Sequence, residues 1–264
     1  MTLPIFTPPE DPGPSFLGLL RKVGFEGSVP EKIENNNSIT HGTTIVAIRY
    51  SDGVLMAGDR RATSGHLISH RTMEKVFPAD AFSGVGISGA AGPAMEMVRL
   101  FQLQLEHYEK VEGSPLSLEG KANQLSLMLK GNFPAAMQGL GVVPIFAGYE
   151  DKTDQGRLIQ FDITGGRYEE KDFVSTGSGS LHASTVVKLR HSSSVGLSEA
   201  IDIALEALLE ASEEDSATGG PDLLRGIFPV IAKIDANGFE RISDEELEGR
   251  TEIIVQNISE RGNS

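Results

Sequence analysis

The first sustained apolar run of the chain, Thr44-Ile45-Val46-Ala47-Ile48-Arg49-Tyr50, is short and β-branched. It is followed by the turn residues Ser51-Asp52-Gly53 and a second run, Val54-Leu55-Met56-Ala57-Gly58, which together predict a hairpin. Residues 82–88 read as another buried strand, and 93–109 place Met97, Val98, Phe101, Leu105 and Tyr108 at helical spacing. A second helix is expected over 118–138. Strands follow at 145–149 and 158–162, with Gly165-Gly166 as a hairpin turn before 167–174. Helices resume at 181–190 and 197–213, and the pattern closes on a strand at 226–234 and the turn Asn237-Gly238. Strands grouped with strands and helices with helices predict an α+β fold, a four-layer αββα sandwich of two antiparallel sheets flanked by helices.

Ahead of this pattern, residues 1–42 carry Pro4, Pro8, Pro9, Pro12, Pro14 and Pro30 and the polar stretch Glu34-Asn35-Asn36-Asn37-Ser38, a composition that resists a packed core. The chain therefore divides into a leader, 1–42, and a domain, 43–264. With 264 residues, 39% hydrophobic and 23% charged, it suits one globular domain with an appendage. The net charge of -14 argues against a nucleic-acid or anionic-membrane surface, which needs clustered Lys and Arg. The absence of cysteine excludes disulfides, thiolate metal sites and a cysteine nucleophile, leaving a hydroxyl or carboxylate for any covalent chemistry. The first residues are neither basic nor continuously apolar, and no run is long enough to span a membrane, so a cytoplasmic protein is expected.

The junction between leader and domain carries the chemistry. A threonine hydroxyl inside a chain is a poor nucleophile because nothing in its own residue accepts the proton. Cleavage after Gly42 would give Thr43 a free α-amine beside its hydroxyl. With a reference pKa of about 7.7–8.0, that amine is a usable base near neutral pH. Asp59 stands sixteen residues beyond Thr43 and Lys75 sixteen further, supplying an acid and a lysine. Downstream come Ser178 in Thr176-Gly177-Ser178-Gly179-Ser180 and the segment Asp215-Ser216-Ala217-Thr218-Gly219-Gly220.

With these motifs in this order and spacing, the chain from about Thr43 to its last strand resembles the 20S proteasome β subunits, most closely those of actinobacteria. The resemblance implies an amino-terminal-nucleophile hydrolase fold and a threonine endopeptidase. In it Thr43 is the nucleophile, exposed by self-cleavage of a propeptide at Gly42-Thr43. Asp59 and Lys75 sit beside it, Ser178, Asp215 and Ser216 complete the hydrogen-bond network, and Gly89 supplies an oxyanion donor. Family positions for the specificity pocket fall on Ala62, Met73, Ile87, Ala91 and Met95, all apolar, implying a chymotrypsin-like preference. Thr63, Gly89 and Ala91 would hold the substrate backbone as an added strand. The chain departs from the archaeal pattern at Thr218, where a serine is common, and at Asp59, where some archaeal members carry glutamate. Implied partners are α subunits and further β subunits in stacked heptameric rings (α7β7β7α7), an ATPase ring, and unfolded polypeptide substrates, with neither nucleic acid nor membrane.

Competing readings are weaker. Gly84-Val85-Gly86-Ile87-Ser88-Gly89 satisfies G-x-G-x-x-G, with Glu106 downstream, but the surrounding strands lack the strand–helix alternation of a nucleotide-binding sheet. His66 and His70 lack a third ligand, so no metal and no cofactor is expected. Taken singly, Asp59 beside two arginines is an ordinary ion-pair acid, Lys75 a solvated lysine, and Ser178 a turn residue; their joint placement relative to Thr43 overrides those readings. The rivals left are another amino-terminal-nucleophile amidohydrolase and a non-catalytic ring subunit. The second would be expected to lose Thr43, Lys75 or the Gly42 junction.

Overall fold

The computed structural model describes residues 42–262, with side chains to 260; the leader apart from Gly42 lies outside the described residues. Twelve strands and five helices follow one another in the described chain. The first sheet has the order β10-β1-β2-β11-β12, comprising β1 (Thr44–Tyr50), β2 (Gly53–Gly58), β10 (Phe173–Gly177), β11 (Val230–Asp235) and β12 (Gly238–Arg241). The second has the order β5-β6-β7-β8-β9, from β5 (Val76–Asp80), β6 (Ser83–Gly89), β7 (Val142–Glu150), β8 (Gln155–Phe161) and β9 (Arg167–Glu170). Every pairing is antiparallel. A separate two-stranded hairpin joins β3 (Ala62–Ser64) to β4 (Leu67–His70).

Strand alternation explains why β1 and β2 are apolar without interruption. Ile45, Ala47, Val54 and Met56 pack between the sheets against Ile145, Ala147 and Leu158. Val46, Ile48, Leu55 and Ala57 face the other way, onto α3 (Ser180–Arg190), α4 (Leu197–Glu214) and α5 (Asp244–Gly262). A strand buried on both faces cannot alternate apolar with polar. On the outside of the second sheet, Val85, Ile87, Phe146 and Ile159 pack against α1 (Ala91–Glu112) and α2 (Leu118–Ala136). Phe101 of α1 meets Phe146 edge-on, centroids 6.1 Å apart. The result is the expected helix–sheet–sheet–helix sandwich.

Several boundaries differ from the sequence reading. The stretch 167–174 is not one strand: β9 stays in the second sheet beside β8, and after Lys171-Asp172 β10 pairs with β1 in the first. Helix α1 starts at Ala91, ahead of Pro93, because a proline in the first turn loses no intrahelical bond. The strand expected over 226–234 begins at Val230, after a bridge between Asp222 and Ile227. The β3–β4 hairpin, β5, β12 and α5 carry weak patterns and were not foreseen. The G-x-G-x-x-G run lies along β6 in an antiparallel sheet, where a Cβ on Gly86 would come within 2.6 Å of Ile45 Cγ2. Its glycines bring the sheets close.

Candidate active site

Strand register builds the site. Ile45 pairs with Gly58, so Asp59, the next residue after β2, falls beside Thr44. The Asp59 N–H donates to the Thr44 carbonyl at 3.1 Å, and the Thr44 N–H donates to Asp59 Oδ1 at 2.8 Å. On the other side, Thr44 pairs with Gly177 at the end of β10, which brings Ser178 to Thr43. Lys75 comes from the opposite sheet: it leads into β5, where its carbonyl accepts from the Ile87 N–H at 2.9 Å. The sandwich thus folds a lysine of one sheet onto the carboxylate of the other.

Asp59 is fully buried and Lys75 is 2% exposed, with 2.7 Å between Nζ and Oδ1. Lys75 Nζ also donates to the Arg61 carbonyl at 2.6 Å and to the Gly42 carbonyl at 3.3 Å. Asp59 Oδ2 accepts from the N–H groups of Arg61 and Gly219, both at 2.9 Å. Burial holds the Lys75 amine below the ordinary lysine range, opposed by the Asp59 carboxylate.

Thr43 is 4% exposed, and its hydroxyl donates to the Gly42 carbonyl oxygen at 2.6 Å. One oxygen, that of the Gly42–Thr43 peptide, therefore takes both the hydroxyl and the lysine ammonium. Gly42 is held tightly: its N–H donates to Thr63 Oγ1 at 3.4 Å, and a Cβ on it would lie 1.9 Å from the Ala217 Cβ.

A hydroxyl network adjoins it. The Thr43 N–H donates to Ser178 Oγ at 3.3 Å, and Ser178 Oγ donates in turn to Asp215 Oδ2. Thr218 Oγ1 also donates to Asp215 Oδ2, at 2.6 Å, and lies 2.7 Å from Thr44 Oγ1. Burial alone would raise the Asp215 carboxyl, but hydrogen bonds from Ser178, Thr218 and the Ala217 N–H outweigh it and hold it below the usual carboxylate range. Threonine at 218 thus reaches both Asp215 and Thr44. Among the described residues Ser216 joins only through its backbone carbonyl, which accepts from Arg61 Nη1 at 2.9 Å, while the residue itself is exposed.

A cleft of about 200 Å³ opens beside Thr43 and Lys75. Of the five residues expected to shape it, Ala62, Met73, Ile87 and Ala91 line it, as do Thr63 and Gly89. Met95 does not; it packs on the α1 core, and Ala94, one residue earlier on the helix, lines the cleft. Ser64, Ser69 and His70 of the β3–β4 hairpin also border it, residues the sequence reading missed because the hairpin has no apolar alternation. His66 and His70 belong to that hairpin region, and no group of three metal-ligating side chains gathers among the described residues.

Comparison with known proteins gives the family. A family model described as "Proteasome subunit" matches residues 39–222. The chain is 53% identical to a "Proteasome subunit beta" of Acidimicrobium ferrooxidans over 99% of its length and 96% of that protein's. It is 53% identical to one of Acidothermus cellulolyticus, over 82% and 76% of the two chains. It is 49% identical to one of Streptomyces griseus, over 88% and 84%.

Proposed function

The chain belongs to the proteasome subunit family as a β subunit of the actinobacterial type, and on that premise we propose that it is a threonine endopeptidase made as a precursor. The observation that carries the reading is the double engagement of the Gly42 carbonyl oxygen by Thr43 Oγ1 and Lys75 Nζ. In the precursor, the Thr43 oxygen attacks the Gly42 carbonyl carbon while the ammonium of Lys75 stabilises negative charge growing on the carbonyl oxygen. The C–N bond breaks, the nitrogen gains the proton that the hydroxyl gave up, and an ester links Gly42 to Thr43 Oγ1. Water then hydrolyses the ester, releasing 1–42 as a propeptide and leaving 43–264 with a terminal amine.

In the mature chain, that amine takes the hydroxyl proton when Thr43 attacks a substrate carbonyl and returns it to the leaving nitrogen. Ser178, already 3.3 Å from the Thr43 nitrogen and anchored by Asp215, orients the amine. Asp59 fixes Lys75 and, through the Thr44 N–H, the backbone beside the nucleophile. Gly89, at the end of β6 on the cleft wall, is the oxyanion donor. The engagement of the Gly42 N–H by the Thr63 hydroxyl supports a reading in which Thr63, Gly89 and Ala91 hold a substrate backbone as an added strand. Because Ala62, Met73, Ile87, Ala91 and Ala94 give the cleft an apolar wall, large apolar or aromatic side chains before the scissile bond are preferred, a chymotrypsin-like specificity.

The subunit works in the cytoplasm, inside stacked heptameric rings (α7β7β7α7) with α subunits and other β subunits. An ATPase ring feeds it unfolded polypeptide. The test is intact mass and amino-terminal sequencing after mixing with an α-type partner, together with peptide hydrolysis. Processing should yield a chain beginning at Thr43, and Thr43→Ala should retain its leader and be inactive while folded. Turnover by the Thr43→Ala chain would refute the assignment.

A further inference from the structure

A second cleft shares no residue with the pocket at Thr43. Arg60, Arg61 and Arg71 line it together with Gly219, Gly220 and Asp222. Its charges do not balance locally. The carboxylate of Asp222 is already committed to Arg225, whose Nη1 donates at 2.8 Å and whose backbone N–H donates at 3.0 Å. Arg60 reaches Glu74 only at 3.5 Å, and Glu74 is gripped by both terminal nitrogens of Arg241, at 2.8 and 2.7 Å. Arg61 spends Nη1 on the Ser216 carbonyl, which carries no full charge. Arg71 is exposed, with no carboxylate in ion-pairing reach among the described residues. Two carboxylates therefore serve five guanidinium groups in a chain whose net charge is -14.

Arg60 also has hydrogen-bonding capacity that no carboxylate takes up. Arg60 Nε is the one buried side-chain polar atom without a hydrogen-bond partner among the described residues. A buried donor left unpaired is destabilising, and guanidinium nitrogens are best satisfied by the paired oxygens of a carboxylate or phosphate. The open space, about 30 Å³, is of a size for one small group.

We propose that this cleft binds a small free oxyanion of the phosphate or sulfate type, held by Arg60, Arg61 and Arg71. The site adjoins the catalytic one through the backbone: the N–H groups of Arg61 and Gly219, both from residues lining the cleft, hold Asp59 Oδ2. A bound anion thus steadies the two segments that position Asp59.

Binding of inorganic phosphate to the full-length chain is measured by calorimetry up to about 10 mM, at ionic strength kept constant with sodium chloride, a range in which salting effects on the whole surface stay small. Saturable binding at one site is expected. Arg71→Ala removes one charge-assisted contact and should weaken it about tenfold. Arg60→Lys, which keeps the charge and loses the planar fork of donors, should also weaken it, whereas Arg99→Ala on exposed α1 should not. Thermal midpoints of the free variants verify that they fold. Absence of saturable binding, or equal affinity in all three variants, overturns the proposal. So does binding by the isolated chain that vanishes on assembly, since that would mean a neighbour's acidic group occupies the cleft. None of these readouts depends on peptide hydrolysis, so the outcome is separate from the assignment of Thr43.

Discussion

Replacing Lys75 by methionine separates two roles of one buried ammonium. Methionine fills nearly the same volume but leaves Asp59, fully buried, without its cation. Removing one partner of a buried ion pair costs about 3–5 kcal/mol, most of it the penalty of the stranded charge. Here the stranded carboxylate is not naked: Oδ1 keeps the Thr44 N–H at 2.8 Å, and Oδ2 keeps the N–H groups of Arg61 and Gly219 at 2.9 Å. The loss should therefore sit at the low end, about 3 kcal/mol, which a domain of about 5–15 kcal/mol survives. Chemistry suffers more. The Gly42 oxygen loses its only charged donor among the described residues, and removal of one oxyanion-type donor slows reaction by about 10²–10³.

Two assays on the same preparation read these effects. Urea unfolding should show a lowered midpoint with an unchanged slope, and intact mass should show the leader retained. Adding Asp59→Asn removes the stranded charge at the expense of one mismatched N–H, so the double variant should regain part of the lost stability and none of the processing. Processing at the wild-type rate by Lys75→Met would refute the role given to the ammonium. A double variant less stable than the sum of its parts would refute the stranded-charge account.

Other consequences are simpler to state. Gly42→Ala drives a Cβ to within 2.3 Å of the Ala217 backbone oxygen, so the scissile peptide must shift, and processing followed by mass should slow by at least about tenfold while the thermal midpoint barely moves. Ala62→Phe puts a ring into a cleft of about 200 Å³; kcat/KM for peptides with Phe, Tyr or Leu before the scissile bond should fall, with smaller residues less affected, and an unchanged ratio across the series would remove Ala62 from the pocket. Asp162 is held down to about 2 by the Thr164 hydroxyl, the Gly166 N–H and the Tyr168 hydroxyl, against an unfolded value near 3.9. Its folded pKa is depressed, so its contribution is complete above about pH 4 and disappears as pH falls toward about 2. Urea midpoints across that window should converge for wild type and Asp162→Asn.

What could be read in the sequence follows from how local each feature is. The strands β1 and β2 are buried on both faces and joined by a short turn, so their apolar runs marked them plainly. The hairpin of β3 and β4 is half exposed or wholly exposed, and α5 opens with Asp244, Glu245 and Glu246 and has three large apolar residues facing outward; neither carries the pattern that marks a core element. The switch of the chain from β9 to β10 was invisible because both are edge strands separated only by Lys171-Asp172, and only their partners, β8 and β1, tell them apart. Met95 was placed at the pocket by the resemblance alone, whereas on α1 it is Ala94 that lines the cleft and Met95 that packs on the core, as a methionine on a helix ordinarily does.

The candidate site was legible for a different reason. Thr43, Asp59 and Lys75 have no local signal, and each alone is an unremarkable residue. Their spacing carries information because it is a register. A hairpin that pairs Ile45 with Gly58 must place residue 59 beside the start of β1, whatever the side chains. A sandwich whose second sheet begins at Val76 brings the residue before it to the sheet interface near the same end, with Val76 packed among Ile45 and Met56. Changing the length of the β1–β2 turn by one residue should therefore be more damaging than most substitutions. It would move Asp59 away from the Thr44 N–H and strand Lys75, although the inserted residue itself would lie in the exposed Ser51-Asp52 turn. A one-glycine insertion between Ser51 and Asp52, assayed by intact mass, should leave the leader attached. Normal processing would mean that register does not hold this site together.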